Sequence, residues 1–143
     1  MYLEGRKTEA LFAQSFRLIR WATTEEDIKL HFDGVFDING QEVRVDIKGH
    51  RARNRGEGPG EMCWVELRNV RGERGWLFGL ADIIAFQYYE QWLLVRREEL
   101  ITYVISTLEY RLEKEPYCLY KRYGRNDLLV MIPYSEIKKL SIT

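Results

Sequence analysis

The sequence predicts an α/β (α+β) fold in which helices flank a mixed β-sheet. Three observations favour it: helical spacing of apolar residues near the start, two alternating runs joined by Asn39-Gly40, and a second helical pattern before a short apolar run. Helical and strand-like segments that succeed one another are typical of a sheet covered by helices. With 143 residues, 45% hydrophobic and 31% charged, we expect one domain over residues 1–143.

The first predicted element is a helix over residues 8–21, which contain neither Gly nor Pro. Phe12, Phe16 and Ile19 follow at steps of four and three, which places them on one stripe. Glu9, three residues before Phe12, lies on the same stripe. It is either a functional acid or a first-turn acid that faces the positive end of the helix dipole.

A β-hairpin follows. Residues 28–36 alternate with period two, which predicts a half-buried strand with Asp33 on its more polar face. Asn39-Gly40 tolerates the positive backbone angles of a two-residue turn. In the returning strand, Asp46 and Lys48 share one face because Val45 and Ile47 point to the other.

The rest of the chain predicts more strands and helices. We expect a third strand over residues 62–70, a short irregular or helical passage over 76–82, and a strand pair over 83–88 and 92–95. Apolar residues at helical spacing predict a helix from Arg97 to about Lys114, ended by Pro116. A strand over 128–132 and a short helix over 135–140 complete the order.

Charge and composition limit the classes of partner. Twenty-two basic and twenty-two acidic residues cancel, so DNA affinity would have to come from local charge. Arg51, Arg53 and Arg55 lie in a Gly-rich segment, where they either contact DNA phosphates or form a solvated loop. No apolar run approaches the roughly 20 residues needed to cross a bilayer, and no secretion signal is evident. We therefore expect a cytoplasmic protein without a membrane partner.

Two cysteines, Cys63 and Cys118, have no metal-ligand spacing and no disulfide framework around them. Chemistry is expected instead from the carboxylates of the hairpin. Hydrolysis of a phosphodiester bond is helped by a divalent ion, and Mg²⁺ prefers carboxylate oxygens and retained waters. If Asp33 and Asp46 converge, they would be the metal ligands, and Lys48 would lie beside them to orient water or stabilise the reacting phosphate.

Asp33, the hairpin and Asp46-Ile47-Lys48 resemble the Asp…(Asp/Glu)-x-Lys signature of the PD-(D/E)XK nuclease superfamily. Glu9 matches an extra acidic residue frequent in that family. The resemblance implies a restriction-endonuclease-like αβββαβ core, Mg²⁺ or Mn²⁺ as cofactor, DNA as partner, and Glu9, Asp33, Asp46 and Lys48 as catalytic residues. Related resolvases pair their sites across two strands, which suggests a homodimer.

The resemblance extends to small Holliday-junction resolvases and to phage or prophage nucleases, since residues 64–69 and 75–82 look like segments of the latter. Two positions depart from the family's pattern: Phe32 stands where the Pro of the motif would be, and Asp46 replaces the Glu usual in resolvases. Asp46 and Lys48 on a solvated strand face, and Asp33 as a surface acid, are the simpler structural alternatives.

These features lead to a first hypothesis: a metal-dependent DNA endonuclease that acts on branched or recombination and repair DNA. The alternative is a catalytically inactive protein of the same fold that binds nucleic acid or serves in assembly. A third is a structural protein in which the Asp-x-Lys pattern is accidental. Glu66 and Asp82 are further acids whose entry into a metal site the sequence leaves open.

Overall fold

The computed structural model describes residues 3–50, 60–111, 119–120 and 126–142. The first half contains helices α1 (Leu3–Ser15) and α2 (Thr24–Leu30) and strands β1 (Arg17–Trp21), β2 (Gly34–Ile38), β3 (Gln41–Lys48) and β4 (Met62–Arg68). After a 3-10 turn at Trp76–Phe78 follow β5 (Ile83–Tyr88), β6 (Gln91–Arg96), α3 (Arg97–Arg111), β7 (Leu119–Tyr120), β8 (Leu128–Pro133) and α4 (Tyr134–Leu140).

The strands form two sheets. The larger has the order β1-β2-β3-β5-β6, and the smaller has the order β4-β8-β7. In the larger sheet β3 and β5 run parallel, whereas the pairs β1–β2, β2–β3 and β5–β6 are antiparallel. The sheet is therefore mixed, and the α/β (α+β) prediction is confirmed. The predicted order of elements is present, with β1, α2 and β7 in addition.

Apolar residues cover both faces of the larger sheet. On one face, α1 packs Phe12 against a cluster drawn from β2, β3, β5 and β6: Phe36, Val45, Ile83 and Leu94. On the other face, the smaller sheet, the 3-10 turn, α3 and α4 close a second core that includes Val35, Ile84, Val65, Val130, Leu100 and Ile137. Since β3 and β5 lie at the centre, consecutive residues of each strand are buried.

The first helix is shorter than predicted. It ends at Ser15, and residues 17–21 form β1, an edge strand paired with β2. Phe12 is fully buried and stacks on the half-buried Phe16, with ring centroids 4.6 Å apart. Ile19 is 44% exposed. Pairing with β2 thus overrode the helical spacing beyond Phe16, because the backbone there finds strand partners.

The strand predicted over residues 28–36 is wrong in its first half. Residues 24–30 form α2, which begins with a capping box: Glu26 N donates to Thr23 Oγ1 (3.1 Å), and Thr23 N donates to Glu26 Oε1 (2.9 Å). The strand β2 starts only at Gly34, so Asp33 lies immediately before it and not in a strand interior. Ser or Thr three residues before Glu is the sequence signal for this helix.

The predicted hairpin is confirmed. Asn39 and Gly40 have φ angles of 53° and 83°, as a two-residue turn of this kind requires. Ile38 pairs with Gln41, and the register continues to Gly34 opposite Val45. Asp37 Oδ1 accepts a hydrogen bond from Gly40 N (2.9 Å), which holds the turn.

Towards the carboxyl end, the strand pair, β8 and α4 lie where the sequence places them. Helix α3, predicted over residues 97–114, extends from Arg97 to Arg111 in the described part of the chain. Pro116, the residue predicted to end it, lies outside the described residues. In the ranges that the structure describes, no helix combines the length and apolar character needed to cross a lipid bilayer.

We predict that Thr23→Ala lowers the free energy of unfolding by about 1 kcal/mol, because it removes the side-chain acceptor at the start of α2. Urea unfolding measures the change. Thr24→Ala, which alters the next residue and leaves the cap intact, is the matched control and should cost less. Equal losses in both variants would contradict a role for the capping box.

Candidate functional site

Asp33 and Asp46 lie opposite each other at the open end of the hairpin. Gly34 pairs with Val45, and the carboxyl groups of Asp33 and Asp46 lie within hydrogen-bonding reach of each other. Asp33 N donates to Val45 O (2.8 Å), and Asp33 Oδ2 accepts from Ile47 N (2.6 Å). The Asp33 carboxylate thus continues the pairing of β3 where β2 has not yet begun, and the two acids converge.

The environment of Asp33 favours its protonated form. The pKa of Asp33 is raised to about 7. Burial is the largest cause of this rise, and the negative charge of Asp46 is the second. The hydrogen bond from Ile47 N and the charge of Lys48 act in the opposite direction. Near neutral pH, Asp33 is therefore poised between its two charge states.

Asp46 is only 4% exposed, and burial raises the pKa of its carboxyl group, against the pull of Lys48. Its Oδ1 lies 3.1 Å from Lys48 Nζ. When both acids are ionised, the buried Oδ2 of Asp46 has no hydrogen-bond partner. A protonated Asp33 can donate to Asp46, so the pair needs a shared proton or another cation to satisfy its oxygens.

Lys48 is held between an acid and an indole. Its side chain is 30% exposed, and Nζ lies 4.6 Å from the ring centroid of Trp76 as well as beside Asp46. A cation over an indole face is stabilised by the ring quadrupole. The ammonium is thereby fixed next to the paired carboxylates, where the sequence predicts it.

Glu9 reaches the same region from α1. It is 9% exposed and lines a cavity of about 520 Å³ together with Asp33 and Asp27. The charge of Asp27 raises the pKa values of both Asp33 and Asp46. The sequence analysis missed Asp27, because it began a strand at residue 28 and assigned no element just before it. The capping-box pattern would have placed Asp27 on the first turn of a helix.

A second cavity, of about 370 Å³, lies beside Lys48. Lys48 and Glu66 line it with several aromatic side chains, among them Trp64 and Trp76. Nothing in the sequence pattern of Trp76 indicated its contact with Lys48. Asp33 therefore borders a cavity that three carboxylates help to line, and Lys48 borders one that several aromatic rings line.

Glu66 and Asp82, the two further acids considered from the sequence, lie in different places. Glu66 lines the aromatic cavity, whereas Asp82 is bound to Arg44: Asp82 Oδ2 accepts from Arg44 N (2.8 Å), and Oδ1 lies 3.3 Å from Arg44 Nη2. Asp82 lines neither of the two cavities beside Asp33 and Lys48. It forms a surface ion pair with Arg44, which lies in the middle of β3.

The predicted DNA-binding residues Arg51, Arg53 and Arg55 lie outside the described residues. The two ends of their segment are joined through His50. Its Nε2 lies 2.7 Å from Gly60 O, and its Nδ1 accepts from Tyr89 N (3.1 Å). These two contacts match the tautomer that carries its proton on Nε2. His50, two residues after Lys48 in the chain, therefore contacts Gly60 at the other end of this segment.

The donor set at the acids fits a hard divalent ion. Asp33 and Asp46 supply carboxylate oxygens, and Mg²⁺ is commonly bound through one or two carboxylates with retained waters. Within the described residues, no group of three or more His, Cys, Asp and Glu side chains is arranged to hold a metal. Cys63 is buried and burial raises its pKa to about 12, so this thiol stays protonated. Cys118 lies outside the described residues.

Among known proteins, no family model, curated protein or solved structure shows a significant match to this chain.

We predict that the free energy of unfolding falls as pH rises from about 4 to about 7. The native protein keeps a proton on Asp33 that the unfolded chain releases near pH 4. The stabilisation is fully present below pH 4 and is lost as pH rises through the native pKa, by an amount on the order of 4 kcal/mol.

Urea unfolding across this pH range measures the slope, and Asp33→Asn should flatten it. Asp82→Asn, which removes an exposed acid in an ion pair, is the control and should keep the original slope. The assignment to Asp33 is contradicted if Asp33→Asn and the unaltered protein lose stability in parallel.

Proposed function

We propose that the protein is a metal-dependent DNA endonuclease of the PD-(D/E)XK type that hydrolyses phosphodiester bonds. The observation that supports this most is the convergence of Asp33 and Asp46 with Lys48 Nζ alongside, 3.1 Å from Asp46 Oδ1. A buried acid, Asp46, and a half-buried one, Asp33, that repel each other are costly unless a cation or a proton joins them. Such an arrangement is common in sites that bind a divalent ion.

Each residue has a role in this proposal. Asp33 and Asp46 would hold Mg²⁺ or Mn²⁺, which when bound neutralises phosphate charge and lowers the pKa of a water. Lys48 places a positive charge next to the acids, where it orients the nucleophile and stabilises charge on the reacting phosphate. Glu9, which shares a cavity with Asp33, acts as an auxiliary acid.

Further parts of the proposal rest on the sequence. Arg51, Arg53 and Arg55 contact DNA phosphates, which supplies local positive charge to a chain whose net charge is zero. The substrate is branched or recombination and repair DNA, the assembly is a homodimer, and the protein acts in the cytoplasm. Each of these statements follows from the resemblance or the composition.

The second candidate is a nucleic-acid-binding or assembly protein of the same fold without hydrolytic activity. The ion pair of Lys48 with Asp46 favours it, since the ammonium already compensates one buried acid. The pKa of Asp33 near 7 favours it too, because a protonated Asp33 can satisfy Asp46 without a metal. Phe32 in place of the family's Pro is compatible with either candidate.

We predict that Mn²⁺ raises the melting temperature of the protein. The shift is expected at pH values above the pKa of Asp33, where both acids are ionised and repel each other. A ligand at a hundredfold excess over its Kd stabilises by about 2.7 kcal/mol. Asp46→Asn should abolish the shift, and Asp82→Asn should retain it. Thermal unfolding with Mn²⁺, Ca²⁺ and EDTA makes the measurement. Equal shifts in the unaltered protein and in Asp46→Asn would remove the proposed metal site.

We predict that Asp46→Asn and Lys48→Met each lower the rate of DNA cleavage at least roughly 100-fold, because each removes charge that acts in the transition state. A panel of linear, single-stranded, flapped and branched DNA with Mg²⁺ or Mn²⁺ tests this. Binding in EDTA should persist in both variants. A Mn²⁺-induced thermal shift without cleavage of any substrate would instead support the inactive binding protein.

A further inference from the structure

The aromatic cavity beside Lys48 has the properties of a binding site for a planar ligand. Its volume of about 370 Å³ falls in the range of small-molecule pockets. Aromatic side chains come from three separate parts of the chain: Trp64 from β4, Trp76 from the 3-10 turn and Phe86 from β5. Flat rings on several sides of an open space favour a ligand that is itself flat and aromatic.

The polar groups of this cavity are few and different in charge. Lys48 presents a cation at the end nearest Asp46, and Glu66 presents a carboxylate from β4. Glu66 is half-buried and is one of the residues that line the cavity. An ionised carboxylate only accepts hydrogen bonds. A ligand that contacts both groups would carry a negative group near Lys48 and an N–H donor near Glu66.

The indole side chains of Trp64 and Trp76 differ in their exposure. Trp76 is 8% exposed and supports the Lys48 ammonium 4.6 Å from its ring centroid. Trp64 is half-buried on the edge strand β4 of the smaller sheet, so part of its ring borders the cavity. Stacking on an aromatic ring is how proteins hold unpaired bases without depending on their sequence. Trp64 is the most exposed of the aromatic residues that line the cavity, so we assign the stacking contact to it.

We propose that this cavity receives one unpaired nucleobase of a DNA strand, with a preference for bases that carry an exocyclic amino group. Trp64 stacks on the base, Glu66 accepts a hydrogen bond from the amino group, as carboxylates do from cytosine, and Lys48 lies near the adjoining phosphate. This inference rests on the proposed function only for the choice of DNA as ligand. It makes single-stranded or locally unpaired DNA the substrate class.

Fluorescence anisotropy with labelled single-stranded oligonucleotides in EDTA tests base binding apart from cleavage. The unaltered protein should bind oligo(dC) more tightly than oligo(dT), and both more tightly than an abasic strand of equal length. Trp64→Ala should weaken binding of oligo(dC) roughly 5- to 150-fold, the range for loss of one stacked base. Trp64→Phe, which keeps a ring, should restore most of the affinity.

Glu66→Gln should narrow the preference for oligo(dC) over oligo(dT), since an amide also donates hydrogen bonds. Val70→Ala, which truncates an exposed side chain just past β4, is the control and should bind as the unaltered protein does. Melting temperatures establish that each variant is folded. Equal affinity of the unaltered protein for intact and abasic strands would overturn the proposal.

The proposed nucleobase-binding cavity and the proposed metal site can be tested independently of each other. A thermal shift with Mn²⁺ that is lost in Asp46→Asn, together with no preference for intact strands, would leave the metal site and remove the base site. A preference for intact strands that is lost in Trp64→Ala, without any Mn²⁺ shift, would leave the base site and remove the proposed nuclease. Duplex DNA bound as tightly as oligo(dC) would also count against an unpaired base in the cavity.

Discussion

The hydrogen bond from Ile47 N to Asp33 Oδ2, 2.6 Å long, is the interaction on which the candidate site depends. At this point β2 has not begun, and a side chain takes the place of a strand partner for β3. The bond fixes the Asp33 carboxyl group against the edge of β3, directly opposite Asp46. Without it, Ile47 would leave a backbone donor unpaired at the end of the hairpin, and Asp33 would have no reason to face inward.

This arrangement concentrates negative charge where water is scarce. Burial and mutual repulsion raise the pKa of Asp33 to about 7, and burial also raises the pKa of Asp46. Lys48 offsets part of this charge from a position over Trp76. Lys48 carries one positive charge beside the two carboxyl groups of Asp33 and Asp46. A further proton or a divalent ion would compensate the remaining negative charge. The proposed ion binding would therefore act through the same groups that affect structural stability.

The acids also lie at the meeting point of two different surfaces. Glu9, Asp27 and Asp33 line one cavity, whereas Lys48, Glu66 and the indoles of Trp64 and Trp76 line the other. Helix α1 forms part of the first and the edge strand β4 part of the second. Carboxylates therefore border Asp33 in one cavity, whereas aromatic rings border Lys48 in the other.

The sequence by itself determined the hairpin, since Asn39-Gly40 permits few other conformations and the alternation of β3 sets which side chains share a face. It therefore predicted that Asp46 and Lys48 are neighbours and that Asp33 lies on the outgoing arm. The segment between Phe16 and Gly34 was predicted wrongly, because β1 obtains its pairing from β2, and because the capping box of α2 competes with an accidental alternation.

Only the tertiary structure decided the surroundings of these acids. Trp76 lies 28 positions after Lys48 in the chain, and Asp27 comes from a helix that the alternation concealed, so neither contact follows from local spacing. The surroundings of Asp33 include residues of α1, β1 and α2, which line the same cavity. Local patterns encode the direction in which a side chain points, whereas its desolvation depends on elements distant in sequence.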